Sequence, residues 1–295
     1  MSNYSIKDLE KLSNVKAHTI RIWEQRYKLL QPERTETNIR YYDDEQLKKL
    51  LNVQALMVNG MKISHISKLN AEEIQSELAT LLLNNVVSDG YVEMIIGEAI
   101  AAVAAFDERT LEILIDDAIS KTNLESTYKN ILLPMLIRIG HLWAVNDLMP
   151  AYEHFLSYYL ERKIFSAINS LPLNADSEET WVLFLIEPEE HEIGLLMANY
   201  IIRKQGKKVI YLGRRVPAEH LENIVRKCNA TSLYTFFVRN QPEKGVQDQL
   251  ENLLKISPAL NIYISGKERI LKNINVPKNI TVISDINSLI EIVTQ

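Results

Sequence analysis

A histidine and a carboxylate are spaced for metal chemistry in the stretch Glu187–Gly194. Glu189 stands two residues before His191, and a short apolar run precedes the stretch. A carboxylate at that spacing can accept a hydrogen bond from one ring nitrogen, which orients the imidazole so that the other nitrogen can bind a metal. On spacing alone, a charged loop with a solvated histidine explains the same residues, and both interpretations stay open at this point.

Basic side chains gather near the N-terminus. Residues 1–70 contain 12 Lys and Arg against 8 Asp and Glu, a net charge of +4, whereas the rest of the chain has a net charge of −9. A DNA-recognition helix needs polar and basic side chains toward the groove, and flanking Arg, Thr and Tyr groups can hold phosphates. A small helical docking domain with a solvated basic surface is the alternative.

The spacing of apolar residues predicts helices over the first two thirds of the chain. Two short helices joined by a tight turn, the second over Lys16–Tyr27, are typical of a helix-turn-helix. The polar segment Gln31–Asp44 and a helix over Glu45–Asn59 follow. We then expect four helices of one bundle: Tyr91–Phe106, Asp107–Ser120, Leu124–Ala144 and Pro150–Ser170.

The last third alternates short apolar runs with helical patterns, which predicts an α/β domain with a parallel sheet of five strands. The predicted strands are Trp181–Ile186, Lys208–Leu212, Ser232–Val238, Asn261–Ile264 and Ile280–Ile283. Ligands of such sheets bind at the C-terminal ends of the strands. The position of His191 after the first strand therefore favours a ligand site there.

Composition excludes several classes of protein. Hydrophobic residues make up 46% and charged residues 24%, which excludes disorder over most of the chain. The single cysteine, Cys228, excludes an internal disulfide and a cysteine-based zinc site. We see no signal peptide and no apolar run of about 18 residues, so we expect a cytoplasmic protein without a membrane partner.

The N-terminal segment carries a motif in three parts: Tyr4–Leu9, Val15–Tyr27 and Arg34–Tyr42. Together these parts resemble the winged helix-turn-helix of MerR-family regulators. Asn38 replaces the usual glycine of the wing, and Asn tolerates a left-handed turn better than most residues. Trp23 is expected in the core. The resemblance implies that operator DNA is bound by Lys16, His18, Arg21, Arg26, Tyr27, Arg34, Arg40 and Tyr41.

The pattern Glu189-x-His191-x-x-Gly194 is similar to the D-x-H-x-x-G signature of cobalamin-binding domains, with Glu in place of Asp. In that family the histidine is the lower axial ligand of cobalt. The resemblance implies that His191 is the metal ligand, with Glu189 and Gly194 at the cofactor. The stretch Leu212–Pro217, expected to open the second helix of the domain, also resembles that fold.

Trp143 is followed, after nine intervening residues, by Glu153-His154. With this third motif, essentially the whole chain resembles the light-sensing adenosylcobalamin repressors of carotenoid genes, the CarH/LitR type. In that family the tryptophan packs on the adenosyl group and the Glu-His pair lies beside it. The resemblance implies that Trp143, Glu153 and His154 line the upper face of the cofactor.

Two motifs depart from that family. Where it has S-x-L on the third strand, this chain has Thr235-Phe236-Phe237, and where it has G-G, this chain has Ser265-Gly266. Small groups there make room for the nucleotide tail of cobalamin. We therefore expect Thr235, Ser265 and Gly266 beside the tail, and we expect a phenylalanine to obstruct its channel.

The resemblance implies three domains: a winged helix-turn-helix (1–75), a helical bundle that caps cobalamin (76–172) and a Rossmann-like, flavodoxin-like cobalamin-binding domain (173–295). It implies a non-enzymatic regulator, expected to be a repressor. The partners would be double-stranded operator DNA, further copies in a homo-oligomer (dimer or tetramer) and a protein antagonist. Adenosylcobalamin would sense light by changing the oligomeric state.

Two alternatives to this function stay open. One is a cobalamin-independent MerR-family regulator whose C-terminal domain serves oligomerisation or protein docking. The other is a corrinoid-carrying module of a methyltransferase, a role that does not require the MerR-like N-terminal segment, called the head below.

Overall fold

The computed structural model describes residues 4–35, 38–83, 89–143, 150–174, 177–239 and 241–294, with only the backbone for 79–83 and 141–143. Contacts divide the chain into two compact units, Met1–Tyr159 and Leu160–Gln295. The finer division into three domains stays a prediction. None of the described helices is both long and apolar enough to span a bilayer.

The first unit begins with a winged helix-turn-helix arrangement. Its elements are α1 (Ile6–Ser13), α2 (Ala17–Tyr27), β1 (Glu33–Arg34), β2 (Arg40–Tyr41), α3 (Asp44–Val58) and α4 (Ile63–Ile66). Ser5 and Asp8 form a capping box at the start of α1, because each side chain accepts a hydrogen bond from the other residue's backbone N–H. Asn14 takes the left-handed conformation (φ 58°) that ends α1 and turns the chain toward α2.

Helices make up the rest of the described part of the first unit. They are α5 (Ala71–Leu83), α6 (Asp89–Ala104), α7 (Glu108–Lys121), α8 (Leu124–Thr127), α9 (Leu133–Trp143) and α10 (Pro150–Asn169), within which the boundary between the units falls. The helix predicted over Leu124–Ala144 is observed without a break from Leu124 to Trp143, and Ala144 lies outside the described residues. A π-helical turn, Tyr128–Leu132, separates α8 from α9. Pro134 lacks the backbone N–H that an α-helical hydrogen bond would use, so the series of α-helical hydrogen bonds is interrupted there.

The helix-turn-helix packs directly on the helices that follow it. Helix α3 crosses α6 closely, and a Cβ added at Gly97 would lie 3.1 Å from the Cβ of Leu51. Helix α1 packs against α9. Glycine allows the close crossing because it has no side chain at the contact.

The second unit alternates strands and helices, as predicted. The strands are β3 (Thr180–Ile186), β4 (Lys208–Val216), β5 (Ser232–Phe237), β6 (Asn261–Gly266) and β7 (Ile280–Val282), and the helices are α11 (Ile193–Lys204), α12 (Leu221–Cys228), α13 (Glu243–Ile256), α14 (Glu268–Leu271) and α15 (Ile286–Thr294). The five strands pair in parallel in the order β4-β3-β5-β6-β7. This is the flavodoxin-like order 2-1-3-4-5, and it confirms the predicted fold class.

One boundary in this unit differs from the prediction. Strand β4 continues to Val216, so Leu212–Pro217 does not open the second helix, and a 3-10 turn (Ala218–His220) comes before α12. Parallel pairing of Ile186 with Val216 extends β4 beyond its apolar part.

The two faces of the sheet have different partners. Val182, Phe184, Leu233 and Phe237 pack on one face in a core cluster that includes residues of α12 and α13. Strand alternation turns Leu183, Tyr234 and Phe236 to the other face. Gly194 in α11 lies against the Phe236 ring, and α11 packs on α15.

Candidate functional site

Helix α2 presents a basic exposed surface. Ile20 and Trp23 are buried, as predicted for Trp23, and they anchor one side of the helix in the core. His18, Arg21 and Arg26 are exposed on the outside. The predicted DNA-binding residues of this helix therefore lie where a duplex can reach them.

The ends of α2 carry two more of the predicted residues. The Arg26 guanidinium lies 5.5 Å from the centroid of the half-buried Tyr27 ring, so Tyr27 supports Arg26. Lys16, just before the helix, is exposed and pairs with Glu10 at 3.2 Å. Solvent screens such an exposed pair, which leaves Lys16 free to exchange its partner for a phosphate.

The wing is a short antiparallel hairpin. Arg34 in β1 pairs in register with Arg40 in β2. Asn38 has φ 64°, which confirms the predicted left-handed turn, and its side-chain oxygen accepts from Arg34 Nη1 at 2.6 Å. Glu36 and Thr37 lie outside the described residues.

The three predicted wing residues have different surroundings. Arg34 is exposed. Arg40 is half-buried, with its Nε 3.3 Å from a carboxylate oxygen of Glu24, and the Tyr41 hydroxyl donates to Glu33. Arg34 is therefore the most accessible of the three predicted wing residues, whereas Arg40 and Tyr41 are held by contacts within the head.

The Glu189–His191 pair lies at the C-terminal edge of the parallel sheet, in the loop after β3. Glu189 Oε1 lies 2.6 Å from His191 Nδ1, which confirms the predicted carboxylate–imidazole contact. Glu189 Oε2 accepts from the backbone N–H groups of Val238 and Arg239, both at 2.7 Å. One carboxylate thus joins the loop after β3 to the loop after β5.

The environment of Glu189 keeps it ionised. Its side chain is 1% exposed, and burial raises the pKa of the carboxyl. Hydrogen bonds from the His191 ring and from the backbone of Arg239, Val238 and His191 outweigh burial and lower the pKa to about 2. A carboxylate can only accept a hydrogen bond, so His191 Nδ1 carries the proton. In the neutral ring, Nε2 then has a free lone pair.

His191 is 49% exposed although its partner is buried. Among the described residues, no three His, Cys, Asp or Glu side chains come together as a metal-binding group. A single oriented imidazole fits a metal whose other ligands arrive with it, as in a macrocycle such as a corrin. The His191 imidazole therefore fits the role of the predicted axial ligand of cobalt.

Arg215 braces the outer part of the same loop. It has φ 56° and donates to Glu190 at 2.7 Å and to Glu187 at 2.9 Å. All three side chains are exposed, so solvent weakens the pairs. These pairs hold the loop in position on either side of Glu189.

Glu192, which the sequence analysis did not single out, holds the inner end of the loop. It is 6% exposed and accepts from the Tyr211 hydroxyl at 2.9 Å and from Arg214 Nε at 2.5 Å. Arg214 also donates to Glu161 in α10 at 2.9 Å. Gly213 has φ 74°, and a Cβ there would lie 2.9 Å from Glu192 Oε1. An acidic residue just before a helix, followed by an arginine near the end of the next strand, is the signal that could have revealed this contact.

The predicted tail residues divide between the two faces of the sheet. Ser265 is buried on the same face as Tyr234, and their hydroxyl oxygens lie 2.7 Å apart. Strand alternation turns Thr235 and Gly266 to the opposite face, away from Gly194. The Thr235 hydroxyl is buried without a hydrogen-bond partner in the described structure, and a Cβ at Gly266 would lie 2.3 Å from the carbonyl oxygen of Phe237.

The face beside Gly194 is covered by an aromatic ring. A Cβ added at Gly194 would lie 2.8 Å from Cε1 of Phe236, so this ring touches the glycine. The residues present therefore fit the axial ligand of a corrinoid, but they do not leave room for its nucleotide tail beside Gly194.

The predicted upper-face residues belong to the first unit. The backbone of Trp143 ends α9, and its side chain lies outside the described residues. Glu153 and His154 stand in the first turns of α10, with His154 Nδ1 3.2 Å from a Glu153 oxygen and the His154 side chain 64% exposed. A role for these three residues at a cofactor stays a prediction from the sequence.

Two family models match this chain, one on the winged helix-turn-helix and one on the helices that follow it. Residues 4–73 match the MerR HTH family regulatory protein model, and residues 95–165 match a B12 binding domain model. The chain is 28% identical to the HTH-type transcriptional repressor CarH of Myxococcus xanthus over 89% of this chain and 88% of that protein. It is 22% identical to the repressor CarA of the same organism over 88% and 85%.

A monomethylamine corrinoid protein of Methanosarcina barkeri has a similar fold. The TM-score is 0.54 at 12% sequence identity, over 68% of this chain and 97% of that chain. Together, the fold, the site and these matches define a transcriptional regulator that joins a MerR-type helix-turn-helix to a B12-binding domain. Within this class the chain is similar to the CarH type of cobalamin-binding MerR regulators.

Proposed function

We propose that this chain is a repressor that binds operator DNA through α2 and the wing and responds to a corrinoid held by His191. One observation carries the proposal: a buried, ionised Glu189 orients a half-exposed imidazole at the ligand edge of a parallel sheet, in a chain with a MerR-type head. Arg21, Arg26 and Arg34 are the exposed cations proposed for the duplex.

The effector we propose is adenosylcobalamin, which supplies a carbon–cobalt bond that light cleaves. His191 would bind the cobalt through Nε2. Glu189 would hold the proton on Nδ1 and fix the plane of the ring. Arg215 would keep the loop in place from outside. The resemblance to light-sensing repressors supports the adenosyl form.

The proposed response is a change of oligomeric state. A homo-oligomer, a dimer or a tetramer, presents several helix-turn-helix heads together, and multivalency raises operator affinity without new contacts. We expect dark, cofactor-loaded protein to sediment as a larger species than the same sample after illumination. An identical oligomer and identical DNA affinity in the dark and after light would contradict this mechanism.

An absorption spectrum tests the cofactor. Purified protein is incubated with adenosylcobalamin in the dark, desalted, measured, exposed to green light and measured again. We expect retained corrinoid bands that change on illumination, and loss of retention in His191→Ala. His220→Ala is the control, because His220 is an exposed histidine in the 3-10 turn before α12. Equal retention by the two variants would refute His191 as the ligand.

A second function is favoured by the Phe236 ring against Gly194. In this alternative the chain regulates without cobalamin, and its α/β unit serves oligomerisation or docks a protein antagonist. A colourless protein that still binds duplex DNA would support the alternative.

A further inference from the structure

The sheet face beside Gly194 is closed at the ligand edge by Phe236. This residue lies near the C-terminal end of β5, and its Cε1 would be 2.8 Å from a Cβ at Gly194 in the first turn of α11. The contact is between a ring and a residue without a side chain, so a larger residue at position 194 would have to displace the ring. The ring therefore occupies the space next to the helix that follows the His191 loop.

The layer behind Phe236 is also filled. The centroids of the Tyr234 and Phe236 rings lie 5.0 Å apart, and the hydroxyl groups of Tyr234 and Ser265 form a hydrogen bond of 2.7 Å. The Ser265 hydroxyl donates to the carbonyl oxygen of Ile283, also at 2.7 Å. This chain of hydrogen bonds is buried, so a group inserted here would have to replace bonds that water cannot supply.

Aromatic packing continues toward the N-terminal ends of the strands. Trp181 in β3 stacks on Tyr263 in β6 with ring centroids 4.9 Å apart. Trp181 and Tyr234 are each 1% exposed. The face is thus packed with rings from its interior to Phe236 at the edge, and close-packed interiors do not take up a bulky planar group without displacing side chains.

The edge itself is open by contrast. His191 is half exposed, and Glu187 and Glu190 on either side of Glu189 are about half exposed as well. The group that binds the metal thus faces solvent, while the adjoining interior is occupied.

We infer that this site recognises the corrin ring through His191 and leaves the nucleotide tail outside the sheet. The inference rests on the proposed function, and it names the ligand class more narrowly: corrinoids irrespective of the tail, including tail-free cobinamides. Phe236 is the residue that sets this specificity, because it covers the glycine at the entrance to the filled face.

A comparison of two ligands on the full chain tests the inference. Adenosylcobalamin and adenosylcobinamide are titrated in the dark, with binding followed by calorimetry and by the absorption spectrum. We expect the two dissociation constants to agree within about threefold in the natural sequence. In Phe236→Ala we expect adenosylcobalamin to bind about tenfold more tightly than before, with cobinamide affinity unchanged.

Three variants make the result specific. Phe236→Leu keeps an apolar side chain of intermediate size and serves where the alanine variant fails to fold. Phe165→Ala removes an exposed ring from α10 and should leave both affinities unchanged. His191→Ala should weaken both ligands in parallel, because both depend on the cobalt ligand.

The outcomes separate the inference from the function on which it rests. Adenosylcobalamin binding more than about tenfold tighter than cobinamide in the natural sequence would show that the tail is used, and would overturn the inference alone. Equal ligand preference in the natural chain and in both Phe236 variants would overturn the role of Phe236. Binding of neither corrinoid would overturn the proposed function itself.

Discussion

Replacing Glu189 by glutamine tests whether a buried charge organises the candidate site. Glutamine has nearly the same shape, but only one of its two terminal atoms accepts hydrogen bonds. Glu189 uses Oε1 toward His191 and Oε2 toward the N–H groups of Val238 and Arg239. The variant must therefore turn an NH₂ group toward one of two sets of donors and leave that set unpaired.

The pKa of Glu189 gives the size of the effect. The folded state lowers this pKa from 4.5 to about 2. At about 1.4 kcal/mol per unit, ionised Glu189 contributes roughly 3 kcal/mol to the free energy of unfolding at pH 7. Because the pKa is lowered, the contribution is complete above the unfolded value. It declines as the pH falls from about 5 toward 2, and roughly 2 kcal/mol remains at about pH 3.5.

Urea unfolding measures this contribution. Trp181 is buried in the second unit and reports on it when Trp23 and Trp143 are replaced by phenylalanine. We expect Glu189→Gln to lower the free energy of unfolding by roughly 3 kcal/mol at pH 7 and by roughly 2 kcal/mol at about pH 3.5.

Glu190→Gln is the matched control for this experiment, because the neighbouring Glu190 is exposed and pairs only with Arg215 among the partners described for it. We expect no measurable change in stability from this substitution. A Glu189→Gln protein as stable as the parent, or a loss that is the same at both pH values, would refute the argument.

Three other predictions concern the head and the sheet. Trp23→Ala should lower the free energy of unfolding by about 3–5 kcal/mol in chemical denaturation, since Trp23 is 5% exposed. Gly266→Ala should strongly destabilise the second unit, because its Cβ would lie 2.3 Å from the Phe237 carbonyl oxygen. At Gly245 an added Cβ meets nothing within 4 Å, so Gly245→Ala should stabilise the unit by up to about 1 kcal/mol. Thermal unfolding measures both effects. Arg34→Ala should weaken duplex binding and reduce the slope of log affinity against log salt by about 1, and an unchanged slope would exclude a phosphate contact.

The sequence was sufficient for the sheet because its strands carry a strong signal. Every residue of Thr180–Ile186 is buried, and such a continuous apolar run is typical of a central parallel strand. The turn at Asn38 was also predictable, since few residue types other than glycine and asparagine take a positive φ readily. In both places the local chemistry and the fold favour the same structure.

The end of β4 could not be predicted in the same way. Arg214 and Arg215 have no apolar signal, and the extension depends on carboxylates distant in the sequence, such as Glu161 and Glu187. The donors to Glu189 Oε2 are backbone N–H groups, which every residue except proline has. Their role cannot be read from the side chains of Val238 and Arg239.

Two departures from the cobalamin signature lie in one structural unit. Glutamate replaces aspartate at position 189, and its longer arm reaches both the His191 ring and the backbone just after β5. The same strand end carries Phe236, two residues before Val238. The carboxylate that orients the imidazole therefore also fastens the segment whose ring covers Gly194. One carboxylate therefore couples the orientation of the proposed metal ligand to the filling of the space beside it, because its two oxygens hold the His191 ring and the segment that carries Phe236.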